Sequence, residues 1–270
     1  IRLGLVGSEM CIRDRSYISY RRFNMKKIIL LMVLIGLPIS LVAQEVPDPL
    51  TAGYSQCKFL PGKGMESLEE YIELFNEELD KAGIEMNSAM LMPFFKTNIS
   101  EYDVLWVNTW EDNTQAGKAM DWWLSDAGEK SRDAWPMFCD TQVLTYQWWM
   151  EMVTDRDDFE GQNFSASYYT CNLSDGKNLG DAYLASNAEL VLAHSKGSKS
   201  SSALIRPASG TNAGEFPFDF VRLFTNPSFQ NWGEAVDGWY DDVRGSAESN
   251  KVRDAYDCNG STLFTGRIVR

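Results

Sequence analysis

The sequence predicts an α+β protein built from two tandem copies of one β-α-β-β-α-β unit. Three observations carry that expectation. The chain repeats itself at an offset of 114 positions, each copy shows the same order of strand and helix signals, and each copy holds one cysteine near its start and one near its end. Y-S-Q-C-K-F-L-P-G-K from Tyr54 returns as Y-Y-T-C-N-L-S-D-G-K from Tyr168, and S-A-M-L-M-P from Ser88 returns as S-A-L-I-R-P from Ser202. After a small insertion, the segment from Thr109 matches that from Thr225, and R-D-A-W at Arg132 matches R-D-A-Y at Arg253. A long period seen only twice marks a duplicated domain rather than a solenoid.

In the first copy, residues 54–59 alternate as a strand, and P-G-K-G then turns the chain into a helix. Met65, Leu68, Ile72, Phe75 and Leu79 recur at helical spacing, and Gly83 supplies the stop. Strands are expected over 86–95 and 102–110, on either side of K-T-N-I-S. Asp112 or Asn113 caps a second helix, whose buried stripe is expected to be Ala116, Met120, Trp123 and Ala127. A last strand covers 141–150. The second copy places strands near Tyr168, Ala203, Phe218 and Thr262 and helices near Asp181 and Asn231.

This order is the ferredoxin-like split pattern, with helices on one face of an antiparallel sheet. The two units are expected over 50–153 and 165–270, with a polar linker over 154–164. Each sheet would have one bare face, so the two copies can cover each other, sheet against sheet, as an intramolecular α/β barrel. On this element order, with aromatic-rich third strands each followed by a helix, the chain resembles a fused version of the dimeric α/β-barrel superfamily. That superfamily includes antibiotic-biosynthesis monooxygenase-like domains. Some members use Asn, Trp and Arg to bind an enolate for cofactor-free oxygenation, and the resemblance suggests Asn108, Trp106 and Arg222 as suitable types. Haem-degrading members use a histidine ligand on another element, so that activity does not carry over.

The ends of the chain read differently. Residues 1–16 resemble a translated sequencing adaptor, and 1–24 read as upstream sequence foreign to the protein. Residues 25–43 have a basic start, an apolar run and a small residue at the end, the pattern of a secretory signal peptide cut after Ala43. The expected location is therefore periplasmic or secreted, with no membrane attachment after cleavage. The net charge is −13, and removal of 1–43 leaves about −18. An acidic surface of this kind repels nucleic acid and anionic membranes.

Cys57, Cys139, Cys171 and Cys258 allow three pairings. The duplication selects Cys57–Cys139 and Cys171–Cys258, which alone keeps the copies both equivalent and self-contained. The ferredoxin-like topology also brings the end of strand one to the start of strand four. Export favours such bonds. A zinc site would need close C-x-x-C pairs, so no metal is expected. No cofactor is expected either. His194 has no second histidine to work with, and the lone G-K at Lys63 or Lys177 is no phosphate loop.

Alternation on the third strands separates two faces. Leu105, Val107 and Thr109 correspond to Val221, Leu223 and Thr225, a largely apolar face in both copies that is expected to pack on helices. Trp106 and Asn108 correspond to Arg222 and Phe224, and Met92 to Arg206. This changing face is expected to line the space between the sheets. The candidate ligand site is thus Trp106 and Tyr168 as walls, with Asn108, Gln56, Arg206 and Arg222 as polar contacts. Two arginines favour a carboxylate. The expected function is binding of a small apolar or aromatic anion between the repeats. Two alternatives stand beside it: a structural or interaction module with a filled inter-sheet core, its arginines paired with carboxylates such as Asp219 or Glu215, and a cofactor-independent monooxygenase-like enzyme.

Overall fold

The computed structural model describes residues 45–95, 102–150, 159, 163–210 and 216–270. The expected upstream segment (1–24), the signal peptide (25–43) and most of the linker (154–164) lie outside the described residues. The first half runs β1 (Leu50–Phe59), α1 (Met65–Ala82), β2 (Asn87–Phe95), β3 (Val104–Trp110), α2 (Asn113–Leu124), a 3-10 turn, α3 (Glu129–Ala134) and β4 (Met137–Trp149). The second half runs β5 (Phe164–Leu173), α4 (Leu179–Ser195), β6 (Ser201–Ser209), β7 (Phe220–Asn226), α5 (Phe229–Gly238), a π-helical turn (Trp239–Val243), α6 (Ala247–Ala255) and β8 (Tyr256–Ile268).

Every strand pairing is antiparallel, and the strands close a barrel in the order β1-β3-β2-β8-β5-β7-β6-β4. Two seams join the halves: β2 against β8, with Met90 opposite Arg267, and β4 against β6, with Tyr146 opposite Arg206. Cys57 lies opposite Cys139 and Cys171 opposite Cys258, and both pairs are bonded with Cα atoms 4.0 Å apart. Each disulfide therefore ties the first strand of a half to its last, the pairing expected from the sequence.

Local chemistry explains the helix bounds. Gly83 takes the left-handed conformation (φ 63°), and its N–H donates back to the Leu79 and Asp80 carbonyls. Asp112 caps α2 by accepting from the Gln115 N–H at 2.8 Å. Asn178 and Asp181 form a reciprocal capping box on α4. Ala116 of α2 is buried as expected, but beyond it the buried face runs through Ala119 and Trp122 rather than Met120 and Trp123, and Met120 is 42% exposed. The sequence pattern also misses α3, a six-residue helix whose few apolar side chains give no periodicity to detect. The linker is not polar throughout, because its Phe159 is buried against Phe164.

Apolar residues segregate into layers. Leu91, Leu105, Val107, Phe164, Ala166, Ala203, Ile205, Leu223 and Phe264 form one cluster drawn from six different strands and no helix. Strands that are not neighbours can meet only across the barrel interior, so this is the interior core. Outside the barrel, α1 covers Trp106, Met90 and Val104, and α4 with α6 covers Leu204, Phe220 and Tyr256. No helix among the described residues is long and apolar enough to cross a membrane.

Candidate functional site

The two faces of the third strands are reversed relative to the sequence expectation. Leu105, Val107 and Leu223 point into the barrel, while Trp106 and Arg222 lie outside it, under the helices. The physical reason is that the barrel interior is a single, mostly apolar space shared by both halves, so the third-strand residues that enter it stay aliphatic in both. The helix-facing sides are two separate compartments, and each can diverge. The six candidate residues are accordingly not brought together. Trp106 and Asn108 share a cleft in the first half, Arg222 lines a cleft in the second, and Tyr168 faces the barrel interior. Gln56 is half-buried on β1 opposite Leu105 and lines none of these three cavities. Arg206 is exposed on β6 and lines none either. The trio Asn108, Trp106 and Arg222 suggested by the monooxygenase resemblance does not assemble.

The second-half cleft holds the densest polar chemistry. It measures about 460 Å³ and lies between the outer face of β5 and β7 and the helices α4, α5 and α6. Arg222 and Glu189 form an ion pair at 3.1 Å, with both side chains only 7% exposed. The Glu189 carboxylate also accepts from the Trp239 indole N–H at 3.1 Å. The Arg222 guanidinium lies 4.3 Å from the Phe224 ring centroid, a cation–π arrangement. Burial pulls its pKa down, but the neighbouring Tyr256 and Glu189 more than offset this and raise it. Tyr256 in turn shares a 2.6 Å hydrogen bond with Ser186. Glu189 consumes one Arg222 nitrogen, Nη1. The remaining Nε and Nη2 are buried and make no hydrogen bond of good geometry; the Tyr256 hydroxyl is the nearest polar neighbour of the guanidinium besides Glu189. Buried donors without partners are rare and costly, so they mark a place where chemistry is missing.

Arg222 is evident in the sequence, but its partner is not. Asp219 instead accepts from the Leu173 backbone N–H at 2.8 Å, and Glu215 lies outside the described residues. Glu189 was detectable: it sits on α4 where the repeat offset puts Phe75 of α1, a carboxylate at a core position. The first half places Phe75 against Trp106, rings 5.9 Å apart at 76°, where the second places Glu189 against Arg222. Trp239 and Tyr240 also escape the sequence reading as site residues. They stand on the π-helical turn, a device that re-aims side chains and is frequent at functional sites.

The barrel interior keeps a cavity of about 490 Å³, walled largely by apolar residues, with Tyr54, Tyr168, Gln147 and Trp149 among its polar members. Gln147 donates to the Tyr54 hydroxyl and accepts from the Trp149 indole at 3.2 Å. Among the described residues, no arginine or lysine lines it. His194 is occupied locally, with Nε2 2.7 Å from the Ser200 carbonyl oxygen. Among the described residues, no group of three or more His, Cys, Asp or Glu side chains is placed to hold a metal ion.

No family model matches the chain, and no curated protein matches it in sequence. Solved structures resemble it at a distance. A protein assigned as a chlorite dismutase superposes with a TM-score of 0.45 at 13% identity, over 83% of this chain and 96% of that one. A heme-binding protein from Thermus thermophilus gives 0.45 at 8%, over 82% and 92%. Chlorite dismutase from Candidatus Nitrospira defluvii, in complex with imidazole, gives 0.45 at 7%, over 80% and 90%. Likeness at this level assigns neither an activity nor a ligand to this chain.

Proposed function

We propose that this chain is an exported small-molecule-binding protein whose second-half cleft holds a small aromatic acid. We also read the halves as tandem ferredoxin-like units fused into one barrel. The observation that carries the binding reading is the unpartnered edge of Arg222. Nε–H and Nη2–H lie side by side on a guanidinium, and that pair of parallel donors matches the two oxygens of a carboxylate. Glu189 and Phe224 fix the plane of the guanidinium, and Trp232, Trp239 and Tyr240 supply aromatic wall. The signal-peptide pattern and the two disulfides support export to an oxidising compartment. Ligand and site thus differ from the sequence expectation in place, since the cleft lies outside the barrel rather than between the sheets.

The test is calorimetric titration of the protein with 2-naphthoate. Replacing the pair together, Glu189→Leu with Arg222→Met, avoids stranding a buried charge. A charge-assisted contact is worth about 1.5–3 kcal/mol, so the double variant should bind roughly ten- to a hundredfold more weakly. Arg267→Ala, which removes an outer ion pair to Glu69, should bind as the parent does. Equal affinity of the parent and the double variant would refute the reading. N-terminal analysis of exported material should begin at Gln44; a retained apolar run would refute export by cleavage.

A further inference from the structure

We propose that the first half carries a second, chemically different binding cleft, for an uncharged aromatic ring bearing a carbonyl oxygen. This inference does not depend on the Arg222 reading. The cleft measures about 550 Å³ and lies between the outer face of β1 and β3 and the helices α1 and α2. Its volume falls within the range that small-molecule sites occupy. Tyr71, Trp106 and Trp135 make a wall of rings packed edge to face, with centroids 4.7 Å apart for Tyr71 and Trp135 and 5.2 Å for Trp106 and Trp135. Such walls present both ring faces and ring edges to an aromatic guest.

The polar groups of this cleft specify the guest further. Among the described residues, no charged side chain lines it. An ion entering would lose its hydration without gaining a counter-charge, so the guest is uncharged. Trp110 is 6% exposed and lines the cleft, and its indole N–H is buried with no partner. Indole nitrogen can only donate. Asn108 reinforces this polarity: its Oδ1 already accepts from Ser88 Oγ and Trp106 Nε1, both at 2.8 Å, so what it can offer a guest is its amide N–H. The wall thus offers these N–H donors to a guest oxygen, beside the hydroxyls of Ser55, Ser209 and Tyr71 and the amide of Gln142. The mouth is apolar, with Met120 42% and Leu124 76% exposed on α2.

The contrast with the second half sharpens the assignment. Where Phe75 and Trp106 make an uncharged aromatic contact, Glu189 and Arg222 make an ion pair, so the two clefts select guests of different charge.

A neutral, solvatochromic dialkylaminonaphthyl ketone is the probe. Saturable binding to the whole protein should shift its emission to the blue and quench tryptophan fluorescence by energy transfer. Met120→Glu puts a carboxylate at the mouth on an already exposed helix position, so the fold is kept; affinity should fall about tenfold or more. Trp110→Phe removes the N–H and keeps a ring, so the ketone should lose affinity while the corresponding alkylnaphthalene does not. Excess 2-naphthoate should leave the ketone bound. Absence of a saturable shift, indifference to Met120→Glu, equal losses for ketone and hydrocarbon, or displacement by naphthoate would each overturn the proposal. Failure of naphthoate to bind at all bears only on the Arg222 cleft.

Discussion

Tyr54 and Tyr168, which correspond at the repeat offset, meet inside the barrel with ring centroids 6.2 Å apart and planes at 90°. Each is contributed by the first strand of its half, so the contact lies where the two halves face each other. Their free ring surface faces the interior cavity. Burial raises both phenol pKa values above the ordinary 10.0; the Tyr54 value is partly held back by hydrogen bonds to Tyr168 and Gln147. Burial also raises Tyr71 and Tyr256.

These shifts fix the sign of the alkaline response. A phenol whose folded pKa lies above its unfolded value ionises first in the unfolded chain. Its stabilising contribution is therefore complete below pH about 10 and is lost as pH climbs from there towards the folded values. Absorbance titration of tyrosinate should show part of the nine tyrosines that follow residue 43 ionising normally and the buried ones appearing only with unfolding. A single titration of all tyrosines near pH 10 in folded protein would contradict the burial.

The disulfides should map as Cys57–Cys139 and Cys171–Cys258 in non-reducing peptide analysis. They close loops with sequence separations of 82 and 87 residues. Replacing either pair by serines should cost about 2–4 kcal/mol in denaturant unfolding, with similar losses for the two. A peptide linking the halves would contradict the pairing.

The Glu189–Arg222 pair should behave as a buried pair does in a double-mutant cycle. Glu189→Leu alone or Arg222→Met alone leaves a buried charge and should cost about 3–5 kcal/mol, while the double replacement should come within about 1 kcal/mol of the parent. Additive losses in urea unfolding would mean that the two groups do not depend on each other.

Gly266 on β8 tests the packing of the interior. A Cβ there would overlap the ring of Phe164 and the Leu91 side chain. Gly266→Ala should destabilise by about 1–3 kcal/mol, and Phe164→Leu in that background should recover part of the loss. A neutral Gly266→Ala would show that the interior has slack at this point.

Most element positions are legible in the sequence because periodicity survives in single elements: Leu68, Ile72, Phe75 and Leu79 mark the buried face of α1 directly. The cysteine pairing is legible because duplication reduces three possibilities to one. The direction of the strand faces is not. Alternation separates Leu105 from Trp106 but does not say which of them meets a helix, since both sides of a barrel strand are covered. Difference between the copies points to Trp106 and Arg222 as inner residues. In the structure, difference marks the helix-side compartments instead. Glu189 escapes notice because a carboxylate in a helix reads as solvent-facing until it is aligned with Phe75.

The two seams that join β2 to β8 and β4 to β6 have a consequence for how such a molecule can change. If the barrel were assembled from two identical chains, any substitution would appear twice, once in each compartment, and both would have to tolerate it. With the halves on one chain, a residue can be altered on one side only. An ion pair can stand in one compartment while rings fill the other, and the common interior between them stays undisturbed. Covalent continuity thus releases the barrel from its own symmetry, and the two clefts are free to become different organs of one molecule.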